Sequence, residues 1–345
     1  MLYLPGMVLM PEFFFIIILI FLIIFFLLVA QSKLYYYPLA SKVFIYIVIF
    51  FLTFLTFLYY NNLNLYTSLF MSSFNVSLDL SLLKIVIIVF SIFSLILSLD
   101  FLKTEKINDF EYIILILFSI FGIVVLVSAN DLLITYIAIE VQSLSLYILV
   151  SFKRNTLYST EAGLKYFILG SLASILLLFG FSSIYGIFGT INFNDLALIL
   201  SFDCNITLFL LFPTLYILVG LLFKLTIVPF HFWAADVYEG SPSSITLYML
   251  VVPKLSLLIM FIHFFLIVYN SLYIIISPFL VFFSVLSMVV GSFLSLKQKK
   301  FKRLFVYSSI THMGFLFLSL SLLTLNSFHS FFLYFFLYVL MSLCI

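Results

Sequence analysis

Long apolar runs separated by short polar stretches recur from one end of this chain to the other. A helix rises 1.5 Å per residue, so about 20 mostly apolar residues cross the roughly 30 Å of hydrocarbon in a bilayer. Read at that length, the sequence predicts about eleven transmembrane helices, near residues 13–31, 42–60, 81–99, 112–128, 131–151, 163–187, 207–238, 243–269, 273–295, 303–325 and 328–345. The seventh run is too long for one straight span and contains Pro229, which removes a backbone donor and predicts a break. The pattern is that of an all-α polytopic membrane protein with a broken seventh helix. The first run has no Lys or Arg before it and can itself span, so it reads as the first helix and not as a cleaved leader.

Composition sharpens this. Of 345 residues, 66% are hydrophobic and 8% charged, and the mean hydropathy is +1.37; a soluble domain carries about 25% charge. A soluble enzyme, a nucleic-acid binder and a disulfide scaffold are thereby excluded. Cys204 and Cys344 have no CxxC or His partner spacing and read as apolar fillers. No GxGxxG, GxxxxGK[ST], Cys cluster or His pair for haem is present, so redox chemistry associated with this chain is expected to take place elsewhere. Phe (47) and Tyr (22) are abundant and Lys far outnumbers Arg, as A+T-rich codon usage in an organelle genome would produce.

The position of the cations matters more than their sum. Lys33, Lys42, Lys103, Lys106, Lys153, Arg154, Lys297, Lys299, Lys300, Lys302 and Arg303 all fall at the first, third, fifth and ninth loops, on one side of the membrane. Such loops face the cytoplasm or matrix, which places the N-terminus on the opposite side. Four Lys remain inside apolar runs. Lys84 and Lys165 lie near helix starts, where a long side chain can snorkel to the headgroups. That is the expectation for Lys84, whereas for Lys165 snorkelling and a buried role both stay open.

Lys224 and Lys254 are too deep to snorkel, about 21 Å and 18 Å along their helices. Glu140 lies roughly 13 Å into the fifth span. An acid and two amines at one depth on three helices can form a proton relay, because moving a carboxylate relative to a buried amine changes the amine's proton affinity. A static Glu-Lys clamp would explain one Lys and leave Lys254 without a partner. His312, one turn from Ser308 in the tenth span, is a further candidate to carry protons. His263 and His329 read as interior or interfacial. His231, Trp233, Asp236 and Glu239 mark the polar end of the broken span, expected to form a turn or gate.

Three stretches carry a family resemblance: Gly220 to Pro242, which includes VPFHFWAADVYEGSP; Val252-Pro253-Lys254-Leu255; and Lys302 to Gly314. They resemble subunit 2 of respiratory complex I, the proton-pumping NADH:ubiquinone oxidoreductase. Glu140 and the run Lys165 to Gly170 support it. The resemblance implies an antiporter-like inverted-repeat helix bundle, with Glu140, Lys224, Lys254 and His312, and with less support Lys165, as proton-relay groups. It divides the chain into an N-terminal three-helix segment (1–111), a first antiporter-like repeat (112–269) and part of a second (270–345). It also implies that no cofactor is bound by this chain, with NADH, FMN, iron-sulfur clusters and ubiquinone held by other subunits. The implied setting is the mitochondrial inner membrane, among lipid and other membrane-arm subunits, with the N-terminus facing the intermembrane space and no nucleic-acid partner.

Two departures stand out. Ala235 occupies the place of a proline usual after the break, and the run of helices stops inside the eleventh where the family has fourteen. The expectation is a separate polypeptide supplying helices 12 to 14. The alternatives are a structural membrane-arm scaffold without transport and a cation/proton antiporter subunit. A scaffold has no reason to bear roughly 2.5–3.5 kcal/mol per charge at a helix centre.

Overall fold

The computed structural model describes residues 11–30, 38–63, 66–105, 110–202, 207–268, 273–322 and 325–344. Lys33, Lys106 and Cys204, to which the sequence assigned loop charge and an apolar filler, lie outside the described residues, as does the side chain of Cys344. Thirteen helices are described: α1 (Pro11–Ala30), α2 (Pro38–Asn61), α3 (Leu78–Glu105), α4 (Phe110–Ser128), α5 (Leu132–Val150), α6 (Leu157–Phe188), α7 (Phe193–Phe202), α8 (Thr207–Lys224), α9 (Phe232–Gly240), α10 (Ser243–Ile267), α11 (Tyr273–Leu296), α12 (Phe301–Leu320) and α13 (Leu325–Cys344). Among these residues, nine helices are long and apolar enough to cross a membrane, and α8 adds a shorter apolar run, Leu210–Lys224.

Helix is the form that satisfies every backbone group from within its own segment, which hydrocarbon demands. Hydroxyls inside the bundle are answered the same way. Those of Ser91, Ser94, Ser98, Ser119 and Thr135 each donate to the carbonyl three residues earlier. Helices approach closely where a side chain is missing: a Cβ on Gly122 would lie 2.8 Å from the Gln142 amide nitrogen, so α4 meets α5 backbone to backbone. Of the run Ser243–Phe265 in α10, 89% is buried, against 28% of Pro11–Leu28 in α1. The bundle is therefore centred on α10, with α1 at its rim.

Contacts among the described loops gather on two faces. On one face the hairpin of β1 (Thr67–Leu69) and β2 (Phe74–Val76) follows α2. Asn130 and Asn192, from the loops after α4 and α6, donate to the Ser72 carbonyl at its tip at 2.8 and 3.0 Å. On the other face Lys302 donates to the Ser241 carbonyl at 2.7 Å, and Lys300 and Arg303 both hold Glu239. The hairpin and the ten-residue α7 were not legible in the sequence. Each is shorter than the apolar window that reveals a span.

One expectation is overturned. Lys84 does not snorkel: it is 2% exposed. Its ammonium is paired with Glu12 of α1, itself 5% exposed, and lies 5.1 Å from the ring centre of Tyr59 on α2. The pair joins the first three helices to one another, and its partners are 72 residues apart, too far for any helical spacing to reveal. Removing one member of a buried pair strands the other, at a cost of roughly 3–5 kcal/mol. Lys84→Met is therefore expected to deplete the assembled protein, and the double change Glu12→Gln with Lys84→Met to recover most of it. Equal yields of single and double variants on native gels would contradict this role.

Candidate functional site

The site grows from the break in the seventh span. Helix α8 ends at Lys224 and α9 begins at Phe232, with Pro229 between them. The freed carbonyls are not left open: the Leu222 carbonyl accepts from the Ile227 amide at 3.0 Å, and that of Phe223 from the Trp233 indole at 3.3 Å. Two consequences follow. Lys224 sits at the negative end of the α8 dipole, a favourable place for an ammonium. Thr226 is driven to a φ of +61°, a region a β-branched residue rarely enters, and its hydroxyl becomes available to the next helix.

Lys224 and Glu140 come together, with Nζ 4.0 Å from Oε1. Closer still is the hydroxyl of Tyr147, which accepts from Lys224 Nζ at 3.2 Å. At an effective dielectric near 20, unit charges at this separation attract by about 4 kcal/mol, and a hydrogen bond from a charged donor contributes about 1.5–3 kcal/mol. The two pulls are of one order, so neither alone fixes the ammonium.

Lys254 lies in the middle of α10, 2% exposed. Helix α10 runs through Pro253 without a break. The ammonium donates to Thr226 Oγ1 at 3.2 Å and to Ser309 Oγ of α12 at 3.0 Å, and it lies 5.7 Å from the ring centre of Tyr238. Among the described residues no carboxylate lies within 4.0 Å of it. A cavity of about 20 Å³ lies between the two lysines, bordered by Gln142, Ser143 and Tyr238. A second, separate cavity of about 30 Å³ is bordered by Ser309, His312 and Tyr338. Each is large enough to hold a water molecule. His312 Nδ1 is 2.8 Å from the Tyr334 hydroxyl of α13, whereas Ser308 turns back to its own helix, to the Phe305 carbonyl. Glu140, Lys224, Lys254 and His312 thus follow one another in a row across four helices, the first three joined by contacts and a shared cavity and His312 reached past Ser309.

Lys165 stands apart from that row. Its side chain is 43% exposed and is paired with Glu161 at 2.7 Å and with Asp236 at 3.3 Å. Asp236 also accepts from Arg303 at 3.0 Å. The polar end of the broken span is thus an ion-pair network joining α6, α9 and α12, with Glu239 held by Lys300 and Arg303. His231 is buried nearby, His263 packs near Phe193, and His329 is exposed.

Residues 129–345 match the family model described as the transmembrane part of NADH:quinone oxidoreductases and Mrp antiporters. The chain belongs to this family. It is 43% identical over 284 residues to NADH-quinone oxidoreductase subunit N of Pelagibacter ubique, a match covering 82% of this chain and 59% of that protein. It is 43% identical over 255 residues to NADH-ubiquinone oxidoreductase chain 2 of Marchantia polymorpha, covering 72% and 52%. The chain therefore spans between half and three-fifths of the length of these relatives. Among solved structures it resembles a chain of respiratory complex I from Thermus thermophilus, with a TM-score of 0.72 and 25% identity over 94% of this chain and 68% of that one. A chain of the Mrp complex from Dietzia sp. DQ12-45-1b superimposes with a TM-score of 0.83 at 16% identity, over 96% and 62%, which shows a shared fold.

Sequence reasoning missed Tyr147, Thr226, Ser309 and Tyr334, because a neutral hydroxyl in an apolar run carries no signal until its partner is known. Tyr147 alone had one, standing seven residues after Glu140 on the same helix face. Thr226→Val keeps the β-branch and removes an acceptor from Lys254. It is expected to destabilise the assembled protein by about 1–3 kcal/mol, read as a lowered thermal unfolding midpoint in detergent. A wild-type midpoint would show that this hydroxyl does not support the ammonium.

Proposed function

We propose that this chain is a proton-translocating membrane-arm subunit of an NADH:quinone oxidoreductase, which moves protons along Glu140, Lys224, Lys254 and His312. The observation that carries the reading is Lys254: a buried ammonium held by two hydroxyls, bordering one water-sized cavity and bonded to Ser309 at the edge of a second, with no carboxylate within 4.0 Å among the described residues. A clamp needs an acid and a scaffold needs neither lysine, whereas a proton carrier needs a titratable group bordered by space for water. The names of the relatives supply the coupled reaction.

In this reading a proton on Lys224 is stabilised while Glu140 is near and released as the two part. It crosses the first cavity to Lys254, then passes by way of Ser309 and the second cavity to His312 and Tyr334. Lys165, at the exposed margin with Glu161 and Asp236, delivers protons toward the row. No residue of the row does redox chemistry. NADH, FMN, iron-sulfur clusters and quinone belong to other subunits, and the conformational work they drive reaches this chain through its membrane-arm neighbours. We divide the chain into a three-helix segment (1–111), a first repeat (112–269) and part of a second (270–345). We place it in the mitochondrial inner membrane with the cation-bearing loops in the matrix and the N-terminus toward the intermembrane space. Segregation of those loops to one face supports that orientation, and the Marchantia polymorpha relative and the composition favour the compartment.

Lys224→Met and Lys254→Met keep volume and apolarity, so assembly is expected to survive. NADH-driven proton pumping in membrane vesicles is expected to fall by roughly an order of magnitude or more. Full pumping by either assembled variant would instead favour the scaffold reading, and sodium-dependent pumping the antiporter reading.

A further inference from the structure

We infer that Tyr147 is a positioning residue for Lys224: seated in a notch left by Gly170, its hydroxyl holds the Lys224 ammonium short of full contact with Glu140. The inference rests on the translocation reading above and adds to it the group that sets how tightly the central ion pair closes.

Four observations support it. The ammonium is 3.2 Å from the Tyr147 hydroxyl and 4.0 Å from Glu140 Oε1, and that buried carboxylate oxygen accepts no hydrogen bond among the described residues. The pair is thus left ajar, although closing it would satisfy both groups. Glu140 and Tyr147 stand two turns apart on one face of α5, so the ammonium lies between them. The hydroxyl reaches its place because α6 has no side chain there: a Cβ at Gly170 would fall 2.2 Å from Tyr147 Oη and 2.7 Å from Cζ. Any other residue at 170 would push the phenol aside.

The ring is also held from the other direction. Tyr147 meets Tyr166 edge to face, with centroids 4.6 Å apart. Tyr166 stacks on Trp233 at 4.7 Å, and Trp233 stacks on Phe223 at 5.3 Å. Phe223 immediately precedes Lys224, which closes a loop of contacts through both halves of the broken helix. A shift of α9 relative to α8 moves Trp233, and through Tyr166 it moves the Tyr147 hydroxyl. The hydroxyl is a neutral, adjustable stop that lets Lys224 exchange its proton where a closed pair with Glu140 would keep it.

The titratable groups facing Lys224 are Glu140 and Tyr147 of α5, Tyr166 of α6, Tyr238 of α9 and Lys254 of α10. Tyr147→Phe removes the stop while keeping the ring and its packing, so Lys224 closes on Glu140 and holds its proton to higher pH. The test measures NADH-driven quinone reduction and pumping by the assembled complex, in membranes, from acid to alkaline pH. The expected result is an alkaline limb moved upward by about one pH unit, with a several-fold lower rate near neutrality. Gly170→Ala, which displaces the hydroxyl without removing it, is expected to shift the limb in the same direction. An unmoved limb or an acid shift in Tyr147→Phe overturns the inference, since a hydroxyl that only stabilised the ammonium would give the acid shift. Lys224→Met separates the two levels. If it abolishes pumping while Tyr147→Phe keeps the wild-type profile, only the positioning role fails; if it pumps normally, translocation fails and this inference with it.

Discussion

A charge placed in hydrocarbon must be answered by another polar group, and this bundle is arranged around that demand. The break between α8 and α9 is where that demand is met most fully. By ending a helix inside the membrane the chain places Lys224 against a negative helix terminus, turns Thr226 outward to Lys254, and frees carbonyls that Ile227 and Trp233 then satisfy. An unbroken helix at this position would offer none of these. The break is held by the groups it exposes.

The answers given to the two lysines differ in kind. Lys224 has a carboxylate at the edge of contact and a tyrosine hydroxyl in contact. Among the described residues, Lys254 has two hydroxyls and the face of the Tyr238 ring. Lys84, by contrast, is closed on Glu12. The same residue type is closed on an acid at one site and held by hydroxyls beside a water-sized cavity at another.

The margin of the bundle ties the parts together. Asp236 and Glu239 on α9 reach Arg303 and Lys300 at the start of α12, while Asp236 also meets Lys165 on α6. Because α12 carries Ser309 and His312, these ion pairs tie α9 to the helix that bears both residues. Half-exposed ion pairs are individually weak.

Eleven apolar runs, the break at Pro229, the alternation of cation-bearing loops and the depth of Glu140, Lys224 and Lys254 could all be read along the chain. Each depends on spacing within one segment: apolar length against bilayer thickness, proline against the helix ladder, charge against loop number. Contacts between segments were another matter. Lys84 looked like a snorkelling residue because Glu12 is 72 positions away, and Ser308 looked like the partner of His312 because it is one turn away, although the hydroxyl that reaches the ring comes from Tyr334 of another helix. Which neutral hydroxyls hold the lysines, and that Gly170 makes room for one of them, followed only from tertiary packing. A hydroxyl or a missing side chain acquires meaning from what another helix brings to within about 3 Å, and no periodicity along a single helix records that.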